Sequence, residues 1–323
     1  TLQRQNASKA PEGPIVTQSA FTPFSVVQRH ADERTQVAGL ELAEREFPGA
    51  TIASVAAGDF SATLRACFET AVELDRPWTV TLDGDVLLLP RAGAAIAKLA
   101  GRLPTDIGQV YLLVQDRVTG EARGAGVRLY RTQAMATALA EGDWSGKLRP
   151  ETHLLDSLSG LKQSASAVLV GLHDHEQYLR DLFRTALVMV RKKRHQRERL
   201  IRLWSERDDS PDDRALLAGA AAARRADVPF AIDAAATRAL ADAELAAAGL
   251  WEKSPLLRTP SVDELERAVP RAAQRLRVTS LATQWFPHVA RKAGNGARGL
   301  PLARYAVERT WSSTLNRRRQ PAL

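Results

Sequence analysis

The chain opens its ordered pattern with short β-prone apolar runs that alternate with runs of helical spacing. Phe24-Ser25-Val26-Val27 predicts a first strand, then a polar loop over 28–35 and a helix that Pro48-Gly49 stops. Residues 51–55 predict a second strand. Ala62, Leu64, Cys67, Phe68, Ala71 and Val72 form one apolar stripe of a helix over 62–74. Residues 78–82 predict a third strand, which meets Asp83-Gly84-Asp85 and runs on into Val86-Leu87-Leu88-Leu89. Strand–helix–strand–helix–strand is a βαβαβ unit, which builds a parallel sheet with right-handed crossovers and places ligands beyond the carboxyl ends of its strands.

Further along, residues 91–101 predict a helix closed by Gly101. Residues 109–114 and 124–131 predict two strands joined by a reverse turn over 116–121, a hairpin set into the α/β pattern. A short helix over 132–139, a loop over 142–150 and a helix over 151–158 follow. Residues 167–170 predict a strand running into Gly171-Leu172-His173-Asp174-His175-Glu176, and one long helix is expected from Glu176 to about Arg199. Beyond about residue 208 the pattern becomes alanine-rich helices. Ser210-Pro211-Asp212-Asp213 is one helix start and Ser261-Val262-Asp263-Glu264 a capping box. Residues 1–22 are polar, carry Pro11, Gly13 and Pro14, and read as a mobile arm. The division expected is therefore an arm over 1–22, an α/β catalytic domain over 23–190, and an α-helical region over 191–323 that begins with a basic linker helix.

Asp83 and Asp85 carry the strongest chemical signal. Carboxylates one residue apart on extended backbone point the same way and can both face a hard cation, while Gly84 lets a ligand approach the backbone closely. Alone, the triplet also fits an Asp-Gly turn in a hairpin. Its place at the end of the third strand of a βαβαβ unit favours the cation. His173 leaves the last predicted strand in position to fold back toward Asp85 as a third ligand, while solvated loop histidine and helix-capping Asp174 are the plainer readings there.

Composition narrows the classes. The 323 residues are 45% hydrophobic and 25% charged, enough to bury a real core. No apolar run is long enough for a bilayer span. One cysteine, Cys67, excludes an intramolecular disulfide and a cysteine-rich zinc site, so a cytoplasmic setting is expected. A net charge of +8 and a pI near 10.0 favour anionic partners. With 6% aromatic residues, a base-stacking platform for single strands is disfavoured.

The motif Thr81-Leu82-Asp83-Gly84-Asp85-Val86, the strand Gly126-Val127-Arg128-Leu129-Tyr130-Arg131 and the late Gly171-Leu172-His173 together resemble a nucleotide-sugar-dependent glycosyltransferase of the GT-A fold, over about residues 24–190. The first is similar to that group's DxD motif, the second to the strand before its acceptor region, and the third to its C-terminal metal-binding histidine. The resemblance implies a GT-A-like (Rossmann-like) mixed sheet with flanking helices. It further implies Mn2+ or Mg2+ held by Asp85, Asp83 and His173 on the diphosphate of a UDP- or GDP-sugar, with Asp83 alternatively touching ribose or sugar hydroxyls. It seats the nucleotide against the loop holding Arg29, His30, Asp32, Glu33 and Arg34. Arg128 and Arg131 either meet phosphate or face solvent. An inverting transferase needs a carboxylate base, for which Glu151 and then Asp156 are the candidates; each equally suits a helix N-terminus.

The acceptor expected is a glycan, a lipid-linked glycan or a polymer. The basic run over 191–202 is either a solvated face or a peripheral contact with the inner, anionic face of a membrane. Two other functions compete: a basic nucleic-acid-binding protein whose Asp83-Gly84-Asp85 is a plain turn, and a Mg2+-dependent nucleotidyltransferase. The latter usually has a glycine-rich loop after the first strand, and here no glycine lies between Gln28 and Val37.

Overall fold

The computed structural model describes residues 23–141, 161–207, 210–225, 227–228, 234–271, 273 and 285–287. The proposed arm over 1–22 lies outside them. The first strand, β1 (Phe24–Arg29), pairs in parallel with β2 (Thr51–Val55) and β3 (Trp78–Asp83). Helices α1 (Gln36–Glu46) and α2 (Phe60–Glu73) make the crossovers, the second entered through an Asp59 cap that accepts from the amide of Ala62 at 2.7 Å. The βαβαβ unit is therefore present.

After β4 (Val86–Leu88) and α3 (Ala92–Ala100), β5 (Ile107–Asp116) and β6 (Ala122–Arg131) form the expected hairpin, longer at both ends than the pattern alone suggested. A helix, α4 (Thr132–Glu141), and then β7 (Lys162–His173) complete the main sheet, whose order is β2-β1-β3-β6-β5-β7-β4. A short β8 (Trp285–Pro287) adds to the edge of β7. Strands β1, β2, β3, β5 and β7 point the same way, because β2 and β3 are parallel to β1, β6 lies antiparallel to both β3 and β5, and β5 and β7 are parallel. Five carboxyl ends thus open on one edge of the layer. The fold is a mixed α/β sheet with flanking helices.

Both faces of the sheet are covered. One packs Val26, Val80, Leu112 and Leu172 with Leu42 of α1 and Ile96 of α3. The other packs Val27 and Tyr130 with Leu64, Cys67 and Phe68 of α2 and Met135 of α4. Cys67 is a buried packing residue, its thiol pushed up to about 12 by burial, as its place in the apolar stripe suggested.

The long helix expected from Glu176 is broken. Helix α5 (Leu179–Lys192) ends at Lys193, a 3-10 turn covers Arg194–Gln196, and α6 (Arg197–Ser205) follows it. No proline or glycine marks that break; the apolar face of α6, Leu200 and Trp204, is drawn onto the α5 core instead. With α7 (Pro211–Ala222) and α8 (Ala234–Ala247), α5 and α6 make a separate helical core that includes Val118 from the β5–β6 turn. By packing, α5 goes with the later helices. The last described helix, α9 (Val262–Ala268), carries the expected capping box, and its Leu265 returns to the sheet's core. No described helix is long and apolar enough to cross a membrane.

The α5–α7 contact is close. A methyl group built on Gly219 would lie 2.2 Å from the backbone oxygen of Phe183. Gly219→Ala is expected to lower stability by about 1–3 kcal/mol, read from a shifted urea midpoint, since the two backbones must separate.

Candidate metal centre

The site begins where four of the five parallel strands stop. Arg29 ends β1, Asp83 ends β3, Asp116 ends β5 and His173 ends β7. Register pairs Arg29 with Asp83 and Asp116 with His173, so each of these residues has a chemical partner directly across the ladder. Chains that alternate apolar residues inside a sheet put their polar chemistry where the ladder runs out.

The Asp83-Gly84-Asp85 turn does not close a hairpin. Its two strands are not neighbours: β3 lies between β1 and β6, whereas β4 crosses to pair with β7, setting Val86 opposite His173. Hydrogen bonds with three separate segments hold the backbone of the turn. The Gly84 amide donates to Arg29 O at 2.8 Å, the Thr35 hydroxyl donates to Gly84 O at 2.8 Å, and the Asp174 amide donates to Asp85 O at 3.1 Å. Gln177 then donates to the Thr35 hydroxyl at 2.6 Å.

Asp83, Asp85 and His173 each offer a ligand atom within 4.8 Å of the others. His173 Nε2 is 3.5 Å from Asp85 Oδ1. The other face of the ring meets acids: Nδ1 is 3.1 Å from Asp116 Oδ2 and 2.9 Å from Asp174 Oδ2. Asp116 is fully buried. It takes Arg123 Nε at 2.6 Å, the Thr119 amide at 2.6 Å and the Thr119 hydroxyl at 2.8 Å. A carboxylate so anchored fixes the ring and leaves Nε2 turned toward the turn, the usual support for a metal-binding imidazole. Gly126, at φ 69°, leaves room for that ring, since a methyl there would lie 2.8 Å from His173 Cδ2.

Charge is unevenly settled. Burial would raise Asp83, but the Arg29 guanidinium paired with it holds its carboxyl below the usual range. Burial opposes ionisation of Asp116 too, and Arg123 with His173 holds it far below that range. Asp85 has no such cation. Burial, opposed only by His173, joins with Asp174, Asp83 and Glu33 to push its carboxyl up to about 8. Its Oδ1 is buried with no hydrogen-bond partner. Burial disfavours charge on His173, yet Asp85 and Asp174 hold its pKa well above the imidazole value. An orphaned carboxylate oxygen beside an imidazole nitrogen is a donor lacking a cation, and this donor set suits a divalent ion.

The other expected residues fall in different places. Arg29 is tied to Asp83 and stacks on Phe60, 5.1 Å from the ring centre. His30 bonds Gln36 at 3.1 Å, and burial lowers its pKa. The space over Gly84, expected to admit a ligand, is filled by this loop: a methyl there would lie 2.5 Å from Glu33 Oε2 and 2.8 Å from His30 Cβ. Asp32, at φ 61°, lines a neighbouring cleft. Arg34 donates to the Glu176 carbonyl and carboxylate, both at 2.8 Å, and to Ser254 O at 2.7 Å. Arg128, opposite Thr81, stands over Tyr111 and lies near enough to Asp83 to favour its charge.

Arg131 is a correction. Because β6 is antiparallel to β3, Arg131 pairs with Trp78 at the opposite end of the sheet, where it stacks on that indole at 4.3 Å and donates to Ile107 O, Leu103 O and Pro104 O. It has no place in a site at the carboxyl ends. Glu151 and Asp156 lie outside the described residues. Asp116 and Arg123 carried no reading in the sequence, and Asp174 was read only as a helix cap. A usable signal existed for Asp116: it ends an apolar strand as Asp83 does, but the following Arg117–Glu121 reads as a turn and explains an aspartate without any chemistry.

Neither a family model nor a curated protein matches the chain. Among solved structures, it is similar to a glycosyltransferase involved in glycosylating the major capsid of PBCV-1, at 11% identity and a TM-score of 0.35, over 46% of this chain and 92% of that one. It is also similar to a mannosyltransferase from Pyrobaculum calidifontis in complex with GDP-Man and Mn2+, at 13% identity and a TM-score of 0.32, over 84% and 88%. A third is a putative glucose-1-phosphate thymidylyltransferase from Bacillus anthracis, at 11% and 0.28, over 43% and 66%.

Two outcomes test the centre. Asp116→Asn is expected to fold and to weaken Mn2+ binding roughly 10- to 100-fold, read by titrating the electron paramagnetic resonance signal of free Mn2+. Asp85→Asn is expected to stabilise the metal-free protein. An acid whose pKa is raised on folding binds its proton more tightly in the folded state, so its contribution to stability falls as pH rises. The gap in melting temperature between Asp85→Asn and the parent should therefore widen from about pH 4 to about pH 8, following the shift from 3.8 to about 8.

Proposed function

We propose that this chain is a metal-dependent glycosyltransferase that moves a sugar from a nucleotide diphosphate donor to an acceptor hydroxyl. The observation that carries the reading is the buried, unpartnered Oδ1 of Asp85, set against His173 Nε2 and Asp83 at the carboxyl ends of parallel strands. Asp85 and His173 are the ligands, and Asp83, already balanced by Arg29, either completes the set or meets the ribose or sugar hydroxyls. When bound there, Mn2+ or Mg2+ supplies Lewis-acid stabilisation of charge on the departing diphosphate.

The protein's own groups do the rest. Asp116 orients the His173 ring, and Arg29 keeps Asp83 ionised. His30, Glu33 and Arg34 fix the loop over Gly84, which forms one wall of the donor site. Glu151, with Asp156 second, is our assignment for the base that takes the acceptor proton in an inverting reaction. A nucleotidyltransferase reading is less well supported. The space against Gly84 is filled by the Glu33 carboxylate rather than by a glycine-rich cradle of amides for a triphosphate.

Calorimetric titration of UDP- and GDP-sugars, with and without Mn2+, tests the function. Binding is expected only with the metal, for one of the two bases, and is expected to vanish in Asp85→Ala. Metal-independent binding, or no binding of any nucleotide sugar by the full chain, would sink the proposal.

A further inference from the structure

The turn that carries Asp85 is held at three successive peptide units, each by a different part of the chain. The Gly84 amide is tied to the end of β1, the Gly84 carbonyl to Thr35 at the start of α1, and the Asp85 carbonyl to Asp174 after β7. The first and third bonds run from backbone to backbone, whereas the middle one is made by a side chain. It holds the least restrained unit, because the Gly84–Asp85 peptide adjoins a residue with no Cβ to limit its rotation. Rotation there re-aims the Asp85 carboxylate, whose Oδ1 lies 3.5 Å from His173 Nε2.

Thr35 stands at the N-cap of α1, where a threonine hydroxyl ordinarily accepts from an amide of its own helix, as Asp59 does for α2 and Ser261 for α9. Its hydroxyl makes no such bond. It accepts instead from Gln177 Nε2 at 2.6 Å, which leaves its own proton for Gly84 O at 2.8 Å. Gln177 Nε2 also donates to His175 O at 3.2 Å, and that second acceptor fixes the amide with its nitrogen toward the hydroxyl. Both side chains are wholly buried. One turn further along α1, a methyl on Gly39 would lie 2.9 Å from Val86 O, so the helix sits directly against the strand that leaves the turn. The relay thus joins the loop that follows His173 to the turn that supplies Asp85.

We propose that Thr35 and Gln177 are positioning residues of the metal centre. Their relay holds the Gly84–Asp85 peptide so that Asp85 and His173 already face one another before a cation binds. Such preorganisation raises affinity by removing a rearrangement that would otherwise oppose binding. This rests on the metal-dependent reading of the site and not on the transfer of a sugar.

The test is Mn2+ titration of the full chain, read from the electron paramagnetic resonance signal of the free ion, with the melting temperature measured in parallel without metal. Thr35→Val keeps the shape of the side chain but removes the hydroxyl, and is expected to raise the Kd for Mn2+ roughly 10- to 100-fold. Thr35→Ser keeps the donor and is expected to stay within about threefold of the parent. Gln177→Met removes the donor to Thr35 and is expected to weaken binding in the same direction. It decides the matter if circular dichroism shows that Thr35→Val does not fold. A folded Thr35→Val chain with a lower melting temperature and the parent's Mn2+ affinity would make the relay a matter of stability alone and overturn the proposal. Equal losses in Thr35→Ser and Thr35→Val would overturn it too, by assigning the effect to the fit of the side chain rather than to its hydroxyl. A parent that binds no Mn2+ would overturn the metal-dependent reading and the relay with it. A parent that binds Mn2+ with no response to Thr35→Val leaves that reading standing and removes the relay alone.

Discussion

Everything at the carboxyl edge of the sheet follows from a shortage of positive charge. Asp83, Asp85, Asp116 and Asp174 crowd around one imidazole, and the guanidiniums of Arg29 and Arg123 are committed to Asp83 and Asp116. A fold can hold such a cluster only if its backbone is fixed by other means, because the carboxylates repel one another and have lost water. The ladder supplies that: each strand end is locked in register with the next, and the turn between β3 and β4 is bonded to three separate segments. Stability comes from the two apolar layers, and the edge is left to hold a repulsive charge distribution that a bound cation would relieve.

Much of this was legible in the sequence, for a local reason. Strands β1 to β3 and helices α1 and α2 alternate over short distances, and periodicity reads such units well. The aspartate pair could be placed because it ends a strand, and His173 because it ends another. What could not be read is which strand lies beside which. The crossing of β4 to the far edge decides that Asp83-Gly84-Asp85 is no hairpin, and nothing in residues 83–89 encodes it. Arg131 was misplaced for a related reason. It sits on the same strand as Gly126, but ten residues of antiparallel β6 carry one end to the site and the other to the far side.

The two glycines of the centre show the same limit. Gly84 looks like an opening for a ligand, yet it and Gly126 each make room for another part of the chain: the 30–33 loop in one case and the His173 ring in the other. The break between α5 and α6 carries no helix-breaking residue. It follows from where Trp204 finds both an apolar bed and an acceptor for its indole N–H, which no window of local sequence contains.

That indole has a further consequence. Trp204 donates to Val118 O at 2.7 Å, and Arg117 pairs with Asp213 at 2.9 Å, so the helical core grips both sides of the turn that follows Asp116. The α/β layer and the helices are not interchangeable parts. A chimera that grafts this sheet onto another helical partner would keep Asp83 and Asp85 in place but lose the clamp on the residue that aims His173. Evolution of the helical region is thereby tied, through one backbone carbonyl, to the geometry of a centre that the region does not itself enter.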